Sequence, residues 1–216
     1  MSQTIAVVGG TGNLGSAIAW RIAKAGHQVI IGSRSAEAAI ARAEELGHGL
    51  TGMANADAAR AGDIVLVTVP FSAQAATLAD IKPHVAGKIV VDTTVPLVPP
   101  KVMRVQLPDE GSAAVCASNL LGDDVRLVAA FHNVAAHRLA EDGFVDCDIL
   151  VFGDDKAARA EIVALAEAIG QRGIHAGPLV NAAAAEAMTS LLIFINKNYK
   201  VDGAGIRITG ELNAPD

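Results

Sequence analysis

The chain has 216 residues, a formal net charge of -6, and a composition that is 51% hydrophobic but only 3% aromatic. That length fits one domain, or one domain with a small appendage, and it buries enough core to need no disulfide or metal staple. The acidic balance argues against nucleic acid as the main partner, because phosphate recognition needs a basic footprint.

Short β-branched runs alternate with alanine-rich helical stretches. Thr4–Val8 reads as a buried strand and 16–24 as the helix after it. Residues 29–31 read as a second strand and Ala36–Leu46 as a second helix. Further strands are expected over 63–69, 88–91, 126–131 and 148–152, with a helix over 156–169. Apolar strands without alternation suit a parallel sheet covered on both faces. Strand–helix alternation at this spacing implies right-handed βαβ units and an α/β, Rossmann-type doubly wound sheet. Gly177-Pro178 marks the clearest late boundary. It divides a unit over 1–178 from a small helical and strand portion over 179–216, with a long helix over 181–196. Pro96, Pro99, Pro100 and Pro108 mark an irregular, ligand-facing connection.

Other classes of location and ligand are not expected. The opening MSQTIAVVGG is too short in apolar residues for a signal-peptide core. No apolar run approaches the roughly 18 residues of a membrane span. Cys116 and Cys147 form no CxxC pair and no HExxH occurs, so no metal site is expected. A cytoplasmic setting without membrane contact follows.

The first turn reads IAVVGGTGNLGSAIA, in which Gly10, Gly12 and Gly15 make a G-x-G-x-x-G. Its place between a strand and a helix favours a dinucleotide fingerprint over the alternative of an ordinary glycine turn. Gly10 permits the turn, Gly12 lets backbone approach a pyrophosphate, and Gly15 lets helix pack on strand. The helix N-terminus offers free N–H groups to the anion. Roughly 20 residues on, an NAD site places an acid against the ribose 2′-hydroxyl. Here Ser33 and Arg34 stand instead, and the first acid is Glu37. A guanidinium and a hydroxyl suit a 2′-phosphate, so NADP(H) is expected over NAD(H). The alternative is that both lie in a solvated loop. Thr11 either adds a bond to the cofactor or caps its own turn.

Familiar proton-transfer sites are missing. The only tyrosine, Tyr199, is followed four residues later by Gly203, which excludes the Tyr-x-x-x-Lys pair of short-chain dehydrogenases. No lysine lies between Lys156 and Lys197, where β-hydroxyacid dehydrogenases carry theirs. No G-x-S-x-G elbow occurs. His132, at the C-terminal end of the strand over 126–131, remains as the catalytic candidate for orienting a hydride acceptor. Its alternative is a hydrogen-bonded loop histidine. His137 is expected to face solvent. A hydride donor without an acid–base constellation points to an acceptor with its own redox chemistry, such as a flavin-like ring.

GGTGNLG, IIGSR, the strand end VTVP, FGDD, AGPL and NKNYKVDGAGIRITG together resemble the NADPH-dependent reductases of the deazaflavin coenzyme F420. The resemblance covers roughly residues 4–210. It implies direct hydride exchange between C4 of the nicotinamide and C5 of the deazaflavin, a Rossmann domain, and a homodimer. It implies that Gly10, Gly12, Asn13 and Leu14 form the pyrophosphate loop. It implies that Thr11, Ser33 and Arg34 hold the 2′-phosphate, that Val69-Pro70 lies near the cofactor and that Val95-Pro96 lies beside the nicotinamide. His132 and Thr189 stand beside the deazaflavin. Ala38, Ala183 and Ala187 depart from the pattern, where polar residues are usual. Other expectations kept open are an NADPH-dependent imine or small-carbonyl reductase, a flavin or metal reductase, and an NADP(H)-sensing regulator without turnover. The helix over 181–196 either covers a partner subunit or packs on its own domain.

Overall fold

A computed structural model describes residues 3–213. Strand β1 (Thr4–Val8) leads through the glycine loop into α1 (Asn13–Lys24), followed by β2 (Gln28–Ser33), α2 (Ala36–Leu46), β3 (Thr51–Ala54) and α3 (Asn55–Ala61). Then come β4 (Ile64–Val67), α4 (Phe71–Ile81), β5 (Ile89–Asp92), α5 (Ala113–Leu121), β6 (Arg126–Ala129) and α6 (Ala136–Leu139). The chain continues with β7 (Asp148–Gly153), α7 (Lys156–Ala168), β8 (Arg172–His175) and α8 (Ala182–Tyr199).

The strands form one sheet in the order β3-β2-β1-β4-β5-β6-β7-β8. The order reverses at β1, which pairs in parallel with β2 on one side and β4 on the other. Ligands of open α/β sheets bind at such a switch point, beyond the carboxyl ends of the strands. Alternation within each strand sends side chains to opposite faces. Ile5 and Val7 join one core with Ile18 and Ile22 of α1 and Ile162 of α7. Ala6 and Val8 join the other with Leu78 of α4, Ala117 of α5 and Ala185 of α8. Caps at the starts of α2, α5 and α7 come from Ser35, Ser112 and Asp155, each accepting from the backbone N–H three residues on.

Several expectations are corrected. The sheet is not wholly parallel: β6 and β7 run antiparallel, at Val128↔Gly153 and Ala129↔Phe152. The strand expected over 126–131 stops at Ala129, because Phe131 adopts a left-handed φ of 66° that turns the backbone off the sheet. The strand expected over 63–69 stops at Val67, because Thr68 and Val69 lead into α4. The tail after α8 forms no strand among the described residues. It touches β7 once through backbone, Asp148 N–H to Ile206 C=O at 2.7 Å, and the next donor, Ile208 N–H, goes to the Asp148 side chain at 2.6 Å.

The membrane expectation also needs revision. Leu179–Tyr199, 21 residues, is long and apolar enough to cross a membrane by length and composition. A window average passes over its single buried acid. Glu186 is 1% exposed and ties this helix to α5 through the Ala113 backbone.

Candidate active site

The glycine loop is shaped by contacts that exclude side chains. Gly9, just before the G-x-G-x-x-G, takes the left-handed φ of 74°, so the tight turn rests on it and not on Gly10. A Cβ at Gly15 would sit 2.8 Å from Gly10 Cα and collide with the Thr68 hydroxyl. A Cβ at Gly12 would meet only the Gly9 carbonyl, at 3.5 Å, so the protein's own packing does not demand that glycine. The space beside it is open. Helix α1 starts there with no side-chain cap and no acid in its first turn, leaving its N–H groups and positive dipole end for an anion.

A cavity of about 390 Å³ extends from this loop and gathers Thr11, Gly12, Ser33 and Arg34 with Val69 and Pro70. These lie far apart in sequence, and the β1–β2 and β1–β4 pairings bring their strand ends together. The Arg34 side chain makes no hydrogen bond or ion pair among the described residues. Glu37 is turned elsewhere: it accepts from the Ser35 hydroxyl at 2.7 Å, which holds its carboxyl below the usual range. The cavity thus presents a free guanidinium and hydroxyls with no competing carboxylate. That set fits a phosphate and repels nothing anionic.

Other expected cofactor residues fall differently. Leu14 packs its side chain on the core, leaving only its backbone for a ligand. Asn13 faces a second cavity, of about 530 Å³, between α1, α2 and α6. Val95 is half-buried and Pro96 buried, just past the end of β5, outside the cavity that holds Arg34. Sequence reasoning missed Gly9, Asn55 and Thr68. Asn55 Oδ1 accepts from Gly9 N–H at 3.3 Å and braces the loop from α3. No local motif signals that bond, since the partners are far apart in the chain.

The acceptor-side candidates lie beyond β6. His132 is 6% exposed, and neither ring nitrogen has a hydrogen-bond partner. Burial pushes its pKa down to about 4, so the imidazole is neutral at physiological pH and offers one donor and one acceptor. Its ring stands 6.2 Å from that of Phe152. The left-handed turn at Phe131 aims this segment, and a non-glycine residue held there stores strain of a kind that clusters at functional sites. Thr189 is placed beside it, with its hydroxyl engaged. The hydroxyl lies 2.9 Å from the His132 carbonyl and 3.1 Å from that of Ala185, and it accepts from Asn133 Nδ2 at 3.1 Å. In this arrangement Thr189 fixes the His132 segment to α8. Ala183 lines an apolar cleft beneath Phe152 and Met188. His137 is exposed and pairs with Asp202. No group of three or more His, Cys, Asp or Glu suited to a metal exists among the described residues.

Comparison with known proteins adds to this geometry. Residues 4–96 match the model of a family described as coenzyme F420-dependent NADP oxidoreductase. The F420-dependent NADP reductase of Methanothermobacter marburgensis is 42% identical, over 95% of this chain and 97% of its own. That of Methanocaldococcus jannaschii is 40% identical, over 95% and 97%. Among solved structures, a hypothetical protein of Sinorhizobium meliloti aligns with a TM-score of 0.71 at 22% identity, over 85% of this chain and 88% of its own. An imine reductase of Myxococcus stipitatus aligns at 0.63 and 22%, over 93% and 62%. At such identities these two structures share the fold.

Proposed function

Because the chain belongs to the F420-dependent NADP reductases, we propose that it transfers hydride between NADP(H) and the deazaflavin coenzyme F420. NADPH supplies hydride from C4 of its nicotinamide and the deazaflavin takes it at C5, with solvent supplying the proton that balances the reduced ring. The protein binds and aligns the two rings, and no obligatory acid or base is assigned.

The observation that carries the cofactor half is the free guanidinium of Arg34 beside Ser33 and Thr11 in the glycine-loop cavity. Those three take the 2′-phosphate. Backbone at Gly10, Gly12, Asn13, Leu14 and Gly15 takes the pyrophosphate, and Val69, Pro70, Val95 and Pro96 wall the nicotinamide. On the other side His132, neutral and with both ring nitrogens unpartnered, orients the deazaflavin, and Thr189 stands beside it. The family relationship favours turnover over a sensing role.

We assign residues 1–178 to the cofactor and 179–216 to the acceptor side and to pairing of two copies. Exposed Val180, Leu191 and Phe194 on this C-terminal segment give a second copy an apolar surface to cover. A cytoplasmic setting accords with the free thiols of Cys116 and Cys147.

The test follows the absorbance of oxidised F420 on mixing with enzyme and NADPH or NADH. Bleaching that is much faster with NADPH is expected. No bleaching with either donor overturns the acceptor, and equal rates with NADH overturn the role of Ser33 and Arg34. An imine panel run alongside is expected to show no comparable rate.

A further inference from the structure

Two buried carboxylates have no part in the binding scheme above. Asp92 ends β5 and is fully buried; Glu186 sits on α8 at 1% exposure. Burying an acid costs free energy unless it is fully bonded, so both positions ask for a reason. Their partners share a pattern. Asp92 accepts from the Thr94 hydroxyl at 2.6 Å and from Gln74 Nε2, on α4, also at 2.6 Å. The Thr94 hydroxyl lies within 3.5 Å of the Val69 carbonyl as well. Gln74 Nε2 donates onward to the Ala113 carbonyl at 3.0 Å. Glu186 accepts from the backbone N–H of Ala113 at 2.6 Å and of Ala114 at 3.0 Å, at the first turn of α5.

These bonds clamp the irregular segment 93–112 at both ends. Asp92 holds its start, where Val95 and Pro96 lie, and Glu186 holds its junction with α5. Between them, Ser190 of α8 donates to the Arg104 carbonyl at 3.2 Å. The same turn of α8 grips the acceptor side. Ala185 and Thr189 flank Glu186 and bind the side chain of Asn133, and the Thr189 hydroxyl meets the His132 carbonyl. One short stretch of α8, 185–190, therefore touches both the 93–112 segment and the His132 segment.

We propose that Asp92 and Glu186 are positioning residues for hydride transfer, holding the Val95–Pro96 segment and the His132 segment at a fixed separation through α8. This rests on the reading that nicotinamide and deazaflavin meet between those segments. The titratable groups that interact with Glu186 are Asp92 from β5 and Cys116 from α5, and Glu110, before α5, contacts Cys116. Gln74, from α4, carries no charge. No cation in this set neutralises either acid. Burial raises the Asp92 pKa to about 6 and, with help from Asp92, that of Glu186 to about 7, so the clamp changes charge near neutrality.

The experiment compares wild type with Glu186→Gln, Thr94→Val and Thr94→Ser. It reads kcat for F420 reduction as a function of pH, the NADPH dissociation constant, and amide hydrogen exchange at residues 113–114. Glu186→Gln and Thr94→Val are expected to lower kcat about tenfold, the scale of a sub-ångström misplacement, with NADPH affinity within about twofold of wild type. Thr94→Ser keeps the hydroxyl and is expected to restore the rate. Glu186→Gln is expected to flatten the pH profile near 7 and to speed exchange at 113–114. Thr94→Val guards against a Glu186 variant that does not fold. A kcat within about twofold of wild type in Thr94→Val, or a rate loss matched by equal loss of NADPH affinity, overturns the proposal. A wild type that does not reduce F420 removes the functional reading and this proposal together. A competent wild type with insensitive variants overturns the proposal alone.

Discussion

Around the glycine loop the polar groups face a cavity and are unspent. Arg34 is exposed and has no partner among the described residues, and the first N–H groups of α1 have no side-chain cap. Around His132 the polar groups are sealed inside. The two ring nitrogens and Asn133 Oδ1 are buried without partners, and the Thr189 hydroxyl is spent on backbone and Asn133. The contrast teaches how each ligand is met. On the proposed reading, the cofactor meets an open cradle, and the acceptor meets buried groups whose unpartnered atoms cost stability.

The comparison is broken most severely at Gly15. Gly15→Val places side-chain atoms against the Gly10 backbone and Thr68, and is expected to cost about 3 kcal/mol of stability and abolish NADPH binding. Urea unfolding and NADPH titration check both. Arg34→Ala is expected to raise the NADPH KM about 10- to 100-fold, the value of a charged hydrogen bond, with NADH kinetics unchanged. His132→Ala acts on the other half: the KM for F420 rises about tenfold while the NADPH dissociation constant stays put. A parallel fall in NADPH affinity would show that the halves are not separate.

The two buried acids and His132 titrate in opposite senses. Glu186 and Asp92 have folded pKa values raised above their unfolded ones, to about 7 and about 6. The stability they contribute is present at low pH and is lost as pH rises from about 4 to about 7. His132, lowered to about 4, resists protonation in the fold, so its part is lost as pH falls from about 6.5 to 4. Melting temperatures across this range should therefore respond oppositely. Glu186→Gln weakens the decline on the alkaline side, and His132→Gln weakens the decline on the acid side. The same slope in both variants contradicts the assignment. Least of all, Asp202→Asn breaks the exposed pairs to His137 and Arg138 and is expected to change stability by less than about 1 kcal/mol.

How much of this was legible from residues alone depended on distance along the chain. Thr4–Val8, the glycine loop and Ser33-Arg34 announce themselves, because each rests on local patterning. Strand β3 (TGMA), helix α3, mostly alanine, and the short helix α5 carry no strong periodic apolar signal, so they escaped reading. The reversal of β7 against β6 escaped as well, since an apolar run such as DILVFG looks the same in either direction. At the site, His132 and Thr189 stood out by position or resemblance, but their hydrogen-bond states did not. No pattern in the sequence marks Glu186. Its burial against Ala113 is a contact between positions far apart, and no spacing rule reports it.

Direct transfer between the two rings is the central claim, and an isotope tests it without depending on any variant. NADPH deuterated at C4 on the transferred face is mixed with enzyme and oxidised F420 in ordinary water, and the reduced deazaflavin is analysed by NMR. Deuterium at C5 in stoichiometric amount is the expected result. Reduced F420 with no deuterium at C5, its second hydrogen there coming from solvent, or no reduced F420 at all, contradicts it.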